Sequence, residues 1–362
     1  MAVSRINEAG LNINQYGNRR LTYNGAMNVW QRGTSADSAT NGDYMCDRWR
    51  IALAGLDGNL DWDRETSSTP DGFSNALKIS MDASETSLDA GDYAIVTQRF
   101  EGQDLQQLQK GSSGAKKLSL SFWVRSSVAS TYTVDLYDED NTRSISKSYT
   151  INTADTWEFK KIVFEGDTSG ALDNDANLSL HTHFWLDAGS AFTSGTFSTV
   201  WGAVSNTTRV YGTTGWLEST SPTFYITGVQ LEVGDTATDF EHRSFGDELA
   251  RCQRYYYQIT ATASTNPIFA AAWWDDTTTA RGTVFLPCTM RTTPSVGYST
   301  LANLQALDPN VVWNNFTAVA LTSESSEYTA HLSVTTGGGG TNSDASSFRV
   351  IGTDNINFSA EL

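Results

Sequence analysis

Apolar side chains in this chain recur at every second position, in short runs broken by turn residues. That period belongs to strands and excludes a helical architecture. The clearest run covers residues 118–126, where Leu118, Leu120, Phe122 and Val124 share one face. Residues 131–137 and 144–151 flank a polar turn, Asp138-Glu-Asp-Asn141, and predict a hairpin. Further strand runs lie at 75–81, 93–100, 157–164, 178–186 and 223–233, separated by Gly, Asp and Asn. Many short strands with frequent turn signals predict an antiparallel sandwich of the jelly-roll kind.

Helical signals are few. Residues 104–110 can form a turn or two, with Leu105 and Leu108 three apart. Residues 246–257 make the better helix, with Asp247 and Glu248 in the first turn and Arg251 and Arg254 later, as the helix dipole favours. Beyond it, runs at 268–274, 279–287, 295–298, 316–321, 328–334 and 348–351 predict a second, smaller β-sandwich. The 362 residues also suit two domains. The expected organisation is an N-terminal docking arm over 1–20, a jelly roll over 21–244, a helical linker over 245–258 and a C-terminal sandwich over 259–362. The four-glycine run 337–340 reads as an open loop and lacks the Lys-Ser/Thr of a phosphate cradle.

The formal net charge of −17 repels phosphate backbones, so no nucleic-acid partner is expected. The charge is uneven: residues 51–245 carry 27 acidic and 13 basic side chains, whereas residues 1–50 carry 4 and 6. No apolar run approaches the roughly 20 residues of a membrane helix, and residues 1–8 contain no secretory apolar core. Membrane insertion is therefore not expected. Cys46, Cys252 and Cys288 are odd in number and far apart, which predicts reduced thiols in a protein made in a cytosol.

Chemistry-bearing motifs are sparse. His181 and His183 stand two apart on a predicted strand and face the same way, but no third ligand follows from spacing. Asp135, Asp138, Asp140 and Asn141 cluster at the hairpin tip without the Gly and distal Glu of an EF-hand loop. A solvated tip explains them, so no metal is expected. No Gly-x-Ser-x-Gly, His-Glu-x-x-His or Walker pattern occurs, no cofactor is called for, and the chain reads as a non-enzyme. Aromatic placement says more. Trp123 and Arg125 fall on the face opposite Leu118 and Phe122, Trp185 is in phase with His181 and His183, and Trp201 and Trp216 lie in a Gly/Thr-rich stretch read as an exposed loop. These five are candidates for stacking on sugar faces; the alternative for each is a second buried face or a subunit interface.

Two segments carry a resemblance. Leu21-Thr-Tyr-Asn-Gly-Ala-Met-Asn-Val-Trp-Gln-Arg-Gly-Thr-Ser35 with Tyr44-Met-Cys-Asp-Arg-Trp49 resembles the opening of bacteriophage tail-fibre and minor virion structural proteins. Residues 227–257, with Gly-Val-Gln-Leu-Glu at 228–232, Phe-Glu-His-Arg at 240–243 and Cys-Gln-Arg-Tyr-Tyr at 252–256, resemble that group's second hallmark. Between them the chain is similar to carbohydrate-binding-module jelly rolls. It departs from them at their usual calcium positions, with Asn28 and Thr227-Gly228 in place of acids. The resemblance implies a virion protein, often trimeric, displaying sandwich domains outward. The expected function is a tail fibre or tail appendage in host-surface attachment, with glycan binding. Its expected partners are two further copies, a host glycan or protein receptor, and other virion proteins reached through Ile6, Leu11, Tyr16, Arg19 and Arg20. A head fibre or capsid-decoration protein is the structural alternative, and a polysaccharide depolymerase is the enzymatic one.

Overall fold

The computed structural model describes residues 19–362 apart from Thr86. Ile6, Leu11 and Tyr16 of the expected docking arm lie outside the described residues. The chain divides into two units at Phe245/Gly246.

The first unit contains β1 (Ser35–Ala36), β2 (Arg50–Ala54), β3 (Leu60–Glu65), β4 (Ala76–Met81), β5 (Tyr93–Glu101), β6 (Leu118–Ser126), β7 (Thr131–Asp138), β8 (Arg143–Thr150), β9 (Glu158–Phe164), β10 (Leu178–Ala188), β11 (Gly202–Ala203) and β12 (Thr223–Val233). They form two six-stranded antiparallel sheets, β1-β3-β4-β12-β6-β9 and β11-β8-β7-β10-β5-β2, packed as a jelly-roll sandwich. The alternation read in β6 is the alternation found: Leu118, Leu120, Phe122 and Val124 are buried, while Trp123 and Arg125 stay partly exposed on the other face. Phe122 meets Phe184 of β10 edge to face at 5.1 Å, and Tyr149 of β8 at 5.0 Å, so aromatic pairs join the two sheets. The β7–β8 hairpin pairs Thr131 with Thr150 through Asp138 with Arg143. Strands β2 and β3 go beyond the sequence reading.

The two hallmark segments turn out to be one assembly. Asn24 sits in the left-handed region (φ 48°) and is buried at its centre. Its side-chain oxygen accepts from the Asn28 and Val29 amides at 2.8 and 3.0 Å, and its nitrogen donates to the Val29 and Asp47 carbonyls at 2.9 and 3.0 Å. Its own carbonyl accepts from Trp49 Nε1. Gly25 is obligatory for a different reason: a Cβ there would stand 2.1 Å from the Val229 carbonyl oxygen. The second hallmark closes over the first. Leu21 and Val229 amides bond across to Leu231 and Gly25 carbonyls, the Arg20 amide donates to Glu241, and Gln230 accepts from the Glu241 amide at 2.7 Å. Arg20 is therefore buried inside the unit, with its guanidinium over Phe240 at 4.9 Å. That corrects its placement on a docking arm. Arg19, half-buried beside it, donates to the Asp239 carbonyl.

In the second unit the helix Phe245–Gln253 is followed by β13 (Tyr256–Thr260), β14 (Ile268–Trp274), β15 (Thr279–Phe285), β16 (Ser295–Tyr298), β17 (Leu304–Leu307), β18 (Trp313–Leu321), β19 (Thr329–Thr336), β20 (Ala345–Val350) and β21 (Asn355–Ser359). The helix is shorter than its periodicity suggested, because Tyr256 already pairs with Ser359. Six strands close into a barrel, β14-β15-β19-β18-β17-β20, with β13-β21-β16 as a separate three-stranded sheet. The β content matches the reading; closure replaces the open edges of the sandwich that strand patterning suggested. Phe316 and Phe348 pack edge to face at 5.1 Å inside it. All three cysteines are free thiols, with Cys46 and Cys252 buried. Among the described residues no helix is long and apolar enough to cross a membrane.

Candidate functional site

Pairing in the second sheet brings three rows of side chains onto one outer face. Residues directly opposite on antiparallel strands point the same way. Tyr137, His181 and Arg99 form one row; Asp135, His183, Thr97 and Arg50 form the next; Thr133, Trp185, Ile95 and Ala52 form the third. Loops wall this face in. Phe192 comes from the short helix Ser190–Thr193, Arg209 from the end of the turn Asn206–Thr208, and Asn41 from the segment before β2. The result is a cleft of about 390 Å³, at the small end of ligand pockets.

Its floor is held by one buried carboxylate. Asp135 Oδ2 accepts from Arg209 Nε and an Arg209 terminal nitrogen at 2.9 and 2.7 Å, and Oδ1 accepts from Trp185 Nε1 at 3.0 Å. His183 Nδ1 also lies 3.0 Å from Oδ1. Burial would raise the Asp135 carboxyl, but Arg209, His183 and Trp185 outweigh it and hold the group below the ordinary carboxylate range. Arg209 is fixed in turn between Tyr137 and Trp185, at 5.2 and 5.0 Å from their rings. At one end Tyr93, Trp185 and Phe192 form an aromatic cluster, with Tyr93 and Phe192 meeting at 5.3 Å and 81°.

His181 Nε2 lies 3.1 Å from Glu139 Oε2. Burial pulls its imidazole down to about 4 in spite of that partner. The ring is neutral at pH 7, and because a carboxylate only accepts, Nε2 carries the proton. Nδ1 is then a bare acceptor, buried and without a hydrogen-bond partner. In the unfolded chain the same group titrates near 6.5. Between about pH 6.5 and 4 the unfolded state binds a proton that the native state refuses, so stability falls as the pH drops through that window. His183, lowered chiefly by burial, acts in the same direction. Thermal unfolding between pH 7 and 4 is expected to show the midpoint falling by several degrees, with a shallower fall in His181→Gln. An equal slope in the variant would assign the effect elsewhere.

The five sugar candidates do not converge. Trp185 lines the cleft, but at 1% exposed its faces are covered, and its role is to support Arg209, Tyr93 and Phe192. Trp216 is fully buried, which corrects its placement in an exposed loop. The cause is Asp187: its carboxylate accepts the amides of Thr214 at 2.8 Å and Leu217 at 3.1 Å and draws that segment inward. Trp201 stays half-buried, donating to the Glu165 carbonyl, with Lys110 5.2 Å from its ring. Trp123 packs on Phe159 at 5.2 Å on the outer face of the other sheet. Arg125, on the same strand, already stacks 3.8 Å from the Tyr225 ring centre and donates to Ser68.

The acidic cluster at the hairpin is not the solvated tip expected of it: Asp135 and Asp138 are fully buried, and its carboxylates are bonded within the protein. Asp138 is buried against Lys110, with Asn141 on the same carboxylate, and Asp140 accepts the Asp173 amide at 2.9 Å. No group of three potential metal ligands occurs among the described residues. The sequence reading did not single out Arg50, Tyr93, Thr97, Arg99, Phe192 or Arg209. A signal existed for β5, where Tyr93, Ile95, Thr97 and Arg99 alternate, but nothing in the sequence said that β10 pairs beside it.

No family model matches the chain, and no curated protein matches it. Solved structures with partial likeness include the enzymatically active domain of tailspike protein 4 from bacteriophage CBA120, at 13% identity and TM-score 0.30 over 54% of this chain and 21% of that one. Others are TmCBM61 in complex with β-1,4-galactotriose (10% identity, 59% and 99% covered, TM-score 0.30) and a family 11 carbohydrate-binding module of Clostridium thermocellum (14%, 55% and 97%, TM-score 0.28). No ligand or activity passes from them to this chain.

Proposed function

We propose that this chain is a virion structural protein, a tail fibre or similar tail appendage, which attaches to a host-surface glycan through the cleft of its first unit. The observation that carries the glycan part is the cleft itself. An aromatic end made by Tyr93 and Phe192 adjoins a floor of fixed hydrogen-bonding groups, the combination that takes a sugar by stacking and by its hydroxyls. Binding rather than cleavage is favoured because among the described residues no Asp or Glu lines the cleft, and hydrolysis of a glycosidic bond needs two carboxyl groups facing it. The virion part rests on the resemblance of the two hallmark segments. A homotrimer would multiply weak sites into firm attachment.

Tyr93→Ala and Phe192→Ala are each expected to weaken binding to host cells and to isolated host glycans by roughly tenfold, the worth of one aromatic contact. Trp123→Ala, on the opposite sheet, serves as the control and is expected to bind as wild type. Loss in Trp123→Ala with retention in the other two would move the site away from the cleft. Imaging of the assembled particle tests the rest: density on the capsid would make this a head fibre.

A further inference from the structure

Strand β14 ends in two tryptophans, and the strand period sends them to opposite sides. Trp274 is fully buried and donates Nε1 to the Leu307 carbonyl at 3.0 Å, whereas Trp273 stands on the outer wall of the barrel and is 43% exposed. Pairing sets Trp273 opposite Arg281 of β15, and Arg281 opposite Ser333 of β19. One row along, Ala271 faces Thr283, and Thr283 faces His331. All six share the outer face. Between the large side chains that face carries only Ala271, Thr283 and Ser333. A depression of about 240 Å³ is left there, lined by Trp273, Arg281 and His331 and, from the turn after β18, by Thr322 and Glu324.

Its polar groups are accessible and of both kinds. Arg281 Nε donates to Asp275 Oδ2 at 2.9 Å, in an ion pair whose side chains remain 39% and 46% exposed. Asp275 balances and orients the guanidinium, and the two terminal nitrogens keep no hydrogen-bond partner among the described residues. His331 is half-buried, with Nδ1 2.9 Å from Thr283 Oγ1, and its Nε2 is likewise unpartnered among the described residues. Glu324 is exposed on its turn, where Thr322, Arg281 and His331 all favour its ionised form. An indole face thus adjoins a group that only donates, a group that only accepts, and an imidazole nitrogen able to do either.

That combination chooses among ligands. Asp275 and Glu324 outnumber Arg281, so an acid would meet net repulsion. An amine would suit Glu324 and the ring but would be opposed by Arg281. An apolar ligand would strip water from Arg281 and Glu324 without replacing its hydrogen bonds. A hydroxyl gives one bond and takes another, so two neighbouring hydroxyls engage donor and acceptor together while the C–H face of their ring covers the indole. We propose that the barrel of the second unit holds a saccharide site of its own, for a neutral sugar ring stacked on Trp273 with its hydroxyls on Arg281, Glu324 and His331. The site shares no residue with the cleft of the first unit and stands or falls separately. A depression this small grips one ring, so its affinity is expected to be on the order of 1 mM.

The test is weak-affinity chromatography of neutral, amine-bearing and uronate-bearing oligosaccharides on the immobilised full chain. Trp273→Ala and Glu324→Ala are made both in the wild type and in a Tyr93→Ala, Phe192→Ala background that disables the first-unit cleft. The expected result is that the cleft-disabled protein still retards neutral sugars. On either background that retention is expected to fall at least fivefold with Trp273→Ala and at least threefold with Glu324→Ala. Loss of all retention in the cleft-disabled protein overturns this inference and leaves the first-unit cleft standing. Loss in Trp273→Ala alone, with none from Tyr93→Ala and Phe192→Ala, does the opposite. Retention that survives both Trp273→Ala and Glu324→Ala unchanged overturns the site, and retention confined to amine-bearing or uronate-bearing members overturns the ligand class. Should Trp273→Ala fold poorly, Glu324→Ala decides alone, since its side chain lies on an exposed turn outside the core.

Discussion

Asp135→Asn is expected to unfold the cleft side of the first unit at a temperature roughly 10 °C below wild type. The carboxylate is fully buried and holds Arg209 through two hydrogen bonds, with His183 and Trp185 on its other oxygen. Asparagine keeps the shape and removes the charge, leaving a guanidinium out of water with nothing to balance it. Breaking a buried pair from one side costs about 3–5 kcal/mol, and in a domain of some 220 residues each kcal/mol moves the midpoint by about 2–4 °C. The double variant Asp135→Asn with Arg209→Met removes both charges and is expected to regain most of that loss, since a pair replaced by apolar volume is often neutral. Calorimetry of the four proteins of the cycle decides the matter. If the double variant is as unstable as the single, the pair is not what stabilises the floor. Ligand affinity is expected to fall in the double variant, because Tyr137 and Trp185 lose the cation between them.

Asn24→Ala is expected to cost more, about 4 kcal/mol or above, and to leave much of the chain insoluble. Four hydrogen bonds end on this side chain, and their partners are backbone groups of residues 28, 29 and 47 in a place water does not reach. Each stranded group costs about 1–3 kcal/mol. Alanine must also hold a left-handed backbone at φ 48°, a conformation that costs about 1–2 kcal/mol. Asn24→Gly isolates the second effect: it loses the same hydrogen bonds without the steric cost of a Cβ and is expected to unfold several degrees above Asn24→Ala. Equal stability of the two would mean that the backbone conformation relaxes. Thermal unfolding of the soluble fractions provides the comparison.

Much of the fold was legible because each long strand has one apolar face and one polar face. Leu118 to Val124 against Trp123 and Arg125 is a complete statement of which side is core. The hairpin of β7 and β8 was legible too, being local. What could not be read was the lateral order of strands. His181, Arg99 and Tyr137 become neighbours only because β10 lies between β5 and β7, and those pairings join residues about 80 and 45 positions apart. The cleft is a product of that order, so its arginines stayed invisible while Trp185, in phase with the histidines on one strand, did not. Trp216 was misread for a related reason. A Gly/Thr-rich stretch looks like surface, and only the distant Asp187 explains why it is drawn into the core. The closed barrel of the second unit was hidden in the same way, since closure depends on β14 finding β20 across some 75 residues.

The hallmark segments have a mechanical meaning. The Arg20 amide is bonded to Glu241, and the Arg243 guanidinium holds the Arg20 and Thr22 carbonyls, so the two ends of the sandwich are tied together at one neck. Tension applied to the chain on either side of the first unit therefore passes from one hallmark directly into the other. The strands of the second sheet, which carry the cleft, are expected to bear less of that load than the neck does. A cleft mounted this way is expected to keep its geometry when the two ends of the unit are pulled apart.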